Sequence, residues 1–159
     1  MKQKGGVRKR VELLLEILEQ GYQRETWHGP NLKQSIRGVS AREAAWRPRK
    51  GRHNIWEELV HAAYWKYVVR RRLLREKRGS FALQGSNWFA RGDAADEAAW
   101  KRDQELLETS HQKLREAVEG LPEGRFDKKA VDMIFGVAFH DVYHAGQIRI
   151  LRRLQGKRG

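Results

Sequence analysis

The strongest constraint on the fold of this chain is its helical periodicity. Apolar residues recur every three to four positions in four long segments, at about 7–24, 54–77, 93–119 and 128–154. No stretch of comparable length alternates apolar and polar residues as a half-buried strand does. We therefore expect an all-α fold: one four-helix-bundle domain spanning residues 1–159.

Helix start signals support these boundaries. Two residue pairs have the spacing of a capping box: Asn54 with Glu57, and Ser40 with Glu43. The Ser40 pair predicts a short helix between the first two long ones. Aspartates suitable as N-caps precede the third and fourth helices: Asp93 or Asp96, and Asp127. The long connections before residue 54 and at 79–92 favour crossovers, or loops that cover an opening of the bundle.

Two of the six histidines, His140 and His144, lie four residues apart in the fourth predicted helix. At about 100° per residue, both fall with Val137, Ile148 and Leu151 in an arc of roughly 80°, the stripe that faces the core. Buried imidazoles are costly unless their nitrogens find partners. A shared metal ion would satisfy both rings, and hydrogen bonds to other side chains or water are the alternative.

His61 in the second helix is the best candidate for a third ligand, since it shares a face with Tyr64, Trp65 and Val68. Three neutral imidazoles leave a coordination position open for water or substrate, as in catalytic rather than structural sites. All-nitrogen ligation suits several divalent transition metals, of which we expect zinc or nickel first. A coordinated water or thiol would then ionise near neutral pH.

Other polar residues near these positions have weaker signals. Asp141 and Gln147 are candidates to orient an imidazole or a bound water, with ordinary packing as the alternative. His28 could approach the mouth of the site or merely pack, and His53 precedes the N-cap of the second helix. His111 is flanked by polar residues, which predicts a surface position.

Charge adds a second hypothesis. The chain has 33 Lys plus Arg against 20 Asp plus Glu, a net charge of +13, which favours anionic partners. A basic nucleic-acid-binding or stress-associated protein with structural histidines is therefore the alternative to an enzyme, although no nucleic-acid recognition motif accompanies the charge. The absence of cysteine favours a cytoplasmic protein, and no apolar run is long enough to predict a membrane span.

The segment His140–Ile148 resembles the C-terminal H-x-x-x-H-x-G-Q-I signature of the DinB/YfiT-like superfamily. The segment Asn54–His61 is similar to the family's second helix, which ends in its first histidine. Two loops, Thr26–Pro30 and Trp46–Pro48, are also similar to stretches found in some members. The resemblance covers about residues 11–154.

The resemblance implies an up-down-down-up four-helix bundle, often a homodimer, with a mononuclear three-histidine metal site. By position, the ligands would be His61, His140 and His144. Relatives include metal-dependent transferases that use low-molecular-weight thiols such as bacillithiol or mycothiol, and isomerases that depend on such thiols. The expected function is thus a metal-dependent transferase or hydrolase that activates a thiol or water and acts on a small anionic or thiol substrate.

Overall fold

The computed structural model describes residues 2–91 and 96–156, and within these ranges the chain is helical with no strand. The helices are α1 (Lys2–Tyr22), α2 (Leu32–Ser35), α3 (Ala41–Ala45), α4 (Ile55–Leu74), α5 (Glu97–Glu119) and α6 (Lys128–Leu154), with a 3₁₀ turn at Glu123–Arg125. Among the described residues, none of the helices is both long and apolar enough to cross a membrane.

The predicted caps explain most of these boundaries. Capping boxes begin α3 at Ser40 and α4 at Asn54, and the side chains of Asp96 and Asp127 cap α5 and α6. The other candidate N-cap of the third helix, Asp93, lies outside the described residues.

Two predicted boundaries need correction. Helix α1 begins at Lys2 and ends at Tyr22, not at about 7 and 24. Helix α4 ends at Leu74, three residues before the predicted end, because Arg75 turns into the left-handed region (φ 59°) and its N–H bonds back to the carbonyls of the last turn.

The four long helices pack so that α1 and α4 each contact both α5 and α6. Their inward faces form two apolar clusters, one at each end of the long helices. Trp56, Leu59 and Ile148 belong to the first cluster, and Leu114 and Ile134 to the second. His61 and His144 adjoin members of the first cluster on their helices, and His140 lies between the two clusters on α6.

Helices α1 and α6 approach closely at Gly21. A Cβ atom at this position would lie 2.7 Å from the carbonyl oxygen of Ala138, a distance that real Cβ contacts do not reach. The backbones can therefore come this close only because residue 21 has no side chain. The contact on α6 lies two residues before His140.

Candidate metal centre

The three predicted ligands come together in the structure. Helix α4 supplies His61, and α6 supplies His140 and His144 one turn apart. The Nε2 atom of His140 lies 3.1 Å from that of His61 and 3.0 Å from that of His144. One nitrogen from each ring lies within 4.8 Å of the other two, so the group could hold a metal ion.

The Nδ1 atoms of His61 and His144 form hydrogen bonds with residues outside the cluster. His61 Nδ1–H donates to the carbonyl oxygen of Asn87 at 2.8 Å. His144 Nδ1–H donates to the carboxylate of Glu58, which is itself buried. A ring that donates from Nδ1 keeps its lone pair on Nε2. Both lone pairs are therefore directed toward His140, in the arrangement by which a carboxylate or carbonyl positions a metal-binding imidazole.

A count of protons shows that the three rings do not satisfy one another. The neutral ring of His140 can place at most one hydrogen on Nε2, yet two acceptor nitrogens face that atom. Its Nδ1 is buried and has no hydrogen-bond partner among the described residues. Burial, reinforced by the nearby His144, lowers the pKa of His140 to about 3, and burial lowers that of His61 to about 4. Near neutral pH His61 and His140 are therefore neutral, and the cluster has more acceptor nitrogens than hydrogens between its rings.

The spacing of the nitrogens fits a transition metal. Bonds of 2.0–2.1 Å in tetrahedral geometry separate two ligand nitrogens by about 3.3 Å. The two Nε2 distances of 3.0 and 3.1 Å are slightly shorter than this, and all three ligand nitrogens lie within 4.8 Å of one another. The donor set and its spacing thus suit one ion bound by three imidazoles.

An aromatic side chain from the loop before α5 covers one side of the cluster. The ring of Trp88 stacks on that of His61, with centroids 3.8 Å apart. It also stacks on the ring of His53, with centroids 3.6 Å apart. Asn87 is held in a left-handed conformation (φ 65°), and its side-chain oxygen accepts a hydrogen bond of 3.0 Å from Trp65 Nε1. This loop therefore fixes the orientation of His61 through both its backbone and its stacking.

A groove of about 470 Å³ reaches the cluster at His144 and Glu58. Its rim has the exposed cationic side chains Arg49 and Arg52. Gln147 also lines it, and the rest of the lining is largely apolar and aromatic: Pro48, Trp88, Tyr143, Ile150, Leu151 and Leu154. The groove suits a ligand with an anionic group and an apolar portion.

The structure places the remaining predicted residues differently. Asp141 is fully buried, and its hydrogen-bond partner is Lys66 of α4 rather than an imidazole. His28 is exposed and contacts the backbone carbonyl of Gln20. His53 contacts Glu57 at the start of α4, in line with its predicted place at that helix start, and also lines the groove.

The predicted surface position of His111 is wrong, because this side chain is 1% exposed. It accepts a hydrogen bond from Lys66 Nζ at Nδ1 (3.3 Å) and donates from Nε2 to Glu19 (3.2 Å). Helical periodicity indicates this burial, since His111 shares a face with Leu107 and Leu114, which are both buried. Of its polar neighbours in sequence, Thr109, Gln112 and Lys113 are exposed, whereas Ser110 is buried as His111 is, so the polarity of the segment does not predict its exposure.

His111 belongs to a second buried cluster, which we call the lysine network: Glu19, Lys66, His111 and Asp141. Each of the four long helices contributes one member, and Tyr22 packs on it with its ring 3.8 Å from that of His111. On every helix the network residue lies between members of the two apolar clusters. The network therefore crosses the middle of the core.

Sequence reasoning missed three residues that surround the histidines: Glu58, Asn87 and Trp88. Glu58 lies three positions before His61, so both are on the inner side of α4, but nothing in the sequence pairs it with a histidine 86 residues away. Asn87 and Trp88 are in an irregular loop, for which periodicity offers no prediction.

The fold and the site define a class: an all-helical protein with a buried three-histidine cluster that could hold a metal ion. Residues 25–148 match the family model of the DinB superfamily, so the chain belongs to that superfamily. Comparisons with curated proteins and with solved structures each returned no match.

Proposed function

We propose that this protein is a metal-dependent enzyme of the thiol S-transferase or hydrolase type. His61, His140 and His144 hold a divalent transition metal, zinc or nickel. The observation that carries the proposal is the convergence of three Nε2 atoms, two of them with inward lone pairs, at 3.0 and 3.1 Å. Membership of the DinB superfamily supports it independently.

When bound, such an ion lowers the pKa of a coordinated thiol or water and so supplies a nucleophile near neutral pH. The chain's own residues prepare the site for this chemistry. Glu58 and Asn87 hold the rings of His144 and His61 in the required tautomer. Arg49 and Arg52 attract the anionic group of the thiol or of its electrophilic partner, and the apolar groove wall excludes water from the rest.

Metal content of the purified protein is the first test. We expect close to one equivalent of zinc or nickel in the wild type after purification without chelators. The changes His61→Ala, His140→Ala and His144→Ala should each reduce the content severely, because two imidazoles alone bind weakly. His28→Ala is the matched control, since His28 is exposed and lies outside the cluster. A metal-free wild type, or a triple variant that binds equally well, would sink the proposal.

Reactivity separates the two reaction types. The metal-loaded protein is incubated with a low-molecular-weight thiol and an alkylating electrophile, and in parallel with activated esters and no thiol. A transferase accelerates thioether formation, whereas a hydrolase accelerates ester cleavage. Loss of either activity in Arg49→Glu/Arg52→Glu, with metal content unchanged, would support an anionic substrate; acceleration of neither reaction contradicts the enzyme assignment.

Several expectations stay predictions: the single domain over residues 1–159, the up-down-down-up topology, the homodimer and the cytoplasmic location. The packing of α1 and α4 against both α5 and α6 supports the bundle topology.

One observation favours the second candidate function, nucleic-acid binding. Arg72, Arg75, Arg125 and Lys129 surround a cavity of about 630 Å³ next to the second apolar cluster, away from the histidines. If this surface binds nucleic acid, affinity should fall by orders of magnitude as salt rises severalfold, and Arg72→Glu/Arg75→Glu should weaken it. No measurable binding of DNA or RNA at low salt excludes this function.

A further inference from the structure

A cavity lined by arginines lies beside the C-terminal half of α4, apart from the groove that reaches the histidines. Its volume is about 670 Å³, and its walls are α4 and the loop at 79–87. Three arginines line it, Arg71, Arg72 and Arg78, and we call it the arginine cavity. It shares no lining residue with the groove at His144. A volume of this order is typical of sites for small molecules.

The loop that covers the arginine cavity is fixed to α4 at both of its ends. The backbone N–H groups of Gly79 and Ser80 donate to the phenolic oxygen of Tyr67, at 3.2 and 3.3 Å. At the other end, Trp65 Nε1 donates to the side-chain oxygen of Asn87 at 3.0 Å. Tyr67 and Trp65 lie about 160° apart around α4, so the loop crosses the helix face between them. The cavity beneath the loop is therefore bounded by groups that hydrogen bonds hold in place.

The arginines of the cavity have no carboxylate partners. None of the three forms an ion pair among the described residues, and the described lining contains no Asp or Glu. The nearest acidic residue in sequence, Glu76, pairs with Arg70 instead. Arg71 donates from Nη1 to the backbone carbonyl of Glu76 at 2.9 Å, but its buried Nε has no hydrogen-bond partner among the residues that the structure describes. A buried donor without an acceptor is unfavourable, and an anion in the cavity would satisfy it.

Aromatic rings form the other end of the arginine cavity. The ring centroids of Tyr64 and Tyr67 each lie 5.3 Å from that of Phe81, and the ring of Trp65 lies 5.9 Å from that of Tyr64. Trp65 and Arg72 are seven residues apart on α4, about 10 Å along the helix axis. The cavity thus has a cationic end and an aromatic end. A nucleic-acid strand follows a groove that is open at both ends, whereas packed rings occupy one end of this cavity.

We propose that the arginine cavity binds a small organic phosphate that carries a flat aromatic ring, the chemistry of a nucleoside phosphate. The guanidinium groups of Arg71, Arg72 and Arg78 bind the phosphate oxygens, for which their paired N–H groups are well suited. The aromatic end accommodates the ring, since aromatic side chains stack on the face of any base. The inference goes beyond the proposed enzyme function and does not depend on the metal, because no histidine lines this cavity.

Isothermal titration calorimetry with ADP, adenosine and inorganic phosphate tests the ligand class. At low salt we expect ADP to bind with a dissociation constant of about 10–100 µM. Adenosine and phosphate should each bind at least about 10-fold more weakly, because each occupies one end of the cavity only. No binding at about 1 mM ADP, or phosphate that binds as tightly as ADP, overturns the proposal. A single-stranded oligonucleotide of about ten residues that binds far more tightly than ADP would assign the surface to nucleic acid instead.

A matched pair of variants tests the cationic end. Arg78 and Arg75 are both exposed and belong to the same basic segment, but Arg78 lines the arginine cavity and Arg75 lines the other cationic cavity. We expect Arg78→Glu to weaken ADP binding at least about 10-fold and Arg75→Glu to bind as the wild type does. Equal losses would show that net charge alone attracts ADP. A loss in Arg49→Glu/Arg52→Glu rather than in Arg78→Glu would place ADP in the groove, and either result refutes the assignment.

Tryptophan fluorescence tests the aromatic end, since Trp65 lines the arginine cavity. Saturating ADP should quench part of the wild-type emission, because the base lies against this ring. The quench should be lost in Trp65→Phe, whether or not the affinity measured by calorimetry falls. A quench of equal size in Trp65→Phe, with ADP bound, would mean that the base lies elsewhere and would contradict the proposed site.

Discussion

The histidine cluster and the lysine network are both buried polar groups that join α4 to α6, but their hydrogen bonding differs. In the lysine network donors and acceptors alternate: Lys66 donates to Asp141 and His111, and His111 donates to Glu19. In the histidine cluster three acceptor-capable nitrogens face one another with too few protons. The first group contains a lysine that compensates a buried carboxylate, although Asp141 Oδ1 has no hydrogen-bond partner among the described residues. The second group offers nitrogen lone pairs that could hold a metal ion.

The difference separates two reasons why polar side chains are buried in this core. A buried charge is tolerated when a partner of opposite sign and good hydrogen-bond geometry compensates it. A buried cluster of acceptors that lacks such a partner is more typical of a binding site than of a structural brace.

The largest effect is expected from Lys66→Met. The change leaves the fully buried Asp141 without its cation, and breaking a buried pair in this way costs about 3–5 kcal/mol of the free energy of unfolding. Urea denaturation measures it. Lys113→Met, at an exposed position of α5, should change stability by less than about 0.5 kcal/mol.

The double variant Lys66→Met/Asp141→Leu should recover most of the lost stability, because no unpaired charge is then buried. A single variant within about 1 kcal/mol of the wild type would show that the network is not a closed structural brace.

Metal addition should raise the stability of the protein, whereas the change in the lysine network lowers it. Ion at 100 to 1,000 times its dissociation constant stabilises the fold by about 3–4 kcal/mol, which raises Tm by roughly 5–15 °C. The increase should disappear in His140→Ala, because the group then loses the ring that lies between the other two. Comparing each protein with and without metal separates this loss from any effect of the missing ring on packing. Thermal unfolding with and without chelator gives both quantities, and an equal increase in the variant argues against the site.

A smaller effect is expected from Glu58→Gln. The amide oxygen can still accept the hydrogen bond from His144, but the negative charge that supports the ring is lost. Metal affinity should fall about 10- to 100-fold, with the metal-free fold retained. Competition with a chromophoric chelator measures the change, and Glu57→Gln, which affects the carboxylate paired with Arg47, provides a comparison outside the cluster.

The effect of pH is gradual and acts on the histidine cluster and the lysine network together. The pKa is lowered to about 4 in His61, about 3 in His140 and about 2 in His111, in each case mainly by burial. Below pH 6.5 the unfolded chain therefore binds protons that the folded chain does not, and stability falls as pH decreases. Each ring contributes about 1 kcal/mol per pH unit until its own folded pKa is reached.

Urea midpoints of the metal-free protein should accordingly be flat above about pH 7 and decrease from pH 6.5 toward pH 4. Midpoints that rise on acidification would mean that the rings gain protons on folding, contrary to the lowered pKa values.

The sequence predicts the parts of the molecule that have a local signature. Caps such as Asn54 and Asp127 begin helices where expected, and the four-residue spacing of His140 and His144 indicates a shared inward face. The lysine network has no such signature, because Lys66 and Asp141 are 75 residues apart and each is a single charge among apolar neighbours. The sequence likewise does not predict the roles of Glu58, Asn87 and Trp88, since these depend on which helix or loop lies opposite them.

Gly21 gives α1 a role in the site although that helix supplies no ligand. Its contact with the carbonyl of Ala138 sets how near α6 can lie to α1, and His140 begins the next half-turn. A single methyl group at residue 21 would force the two backbones apart and so move the segment of α6 that carries His140. Residue 21 is therefore a position from which an engineer could shift His140 without changing any residue of the histidine cluster.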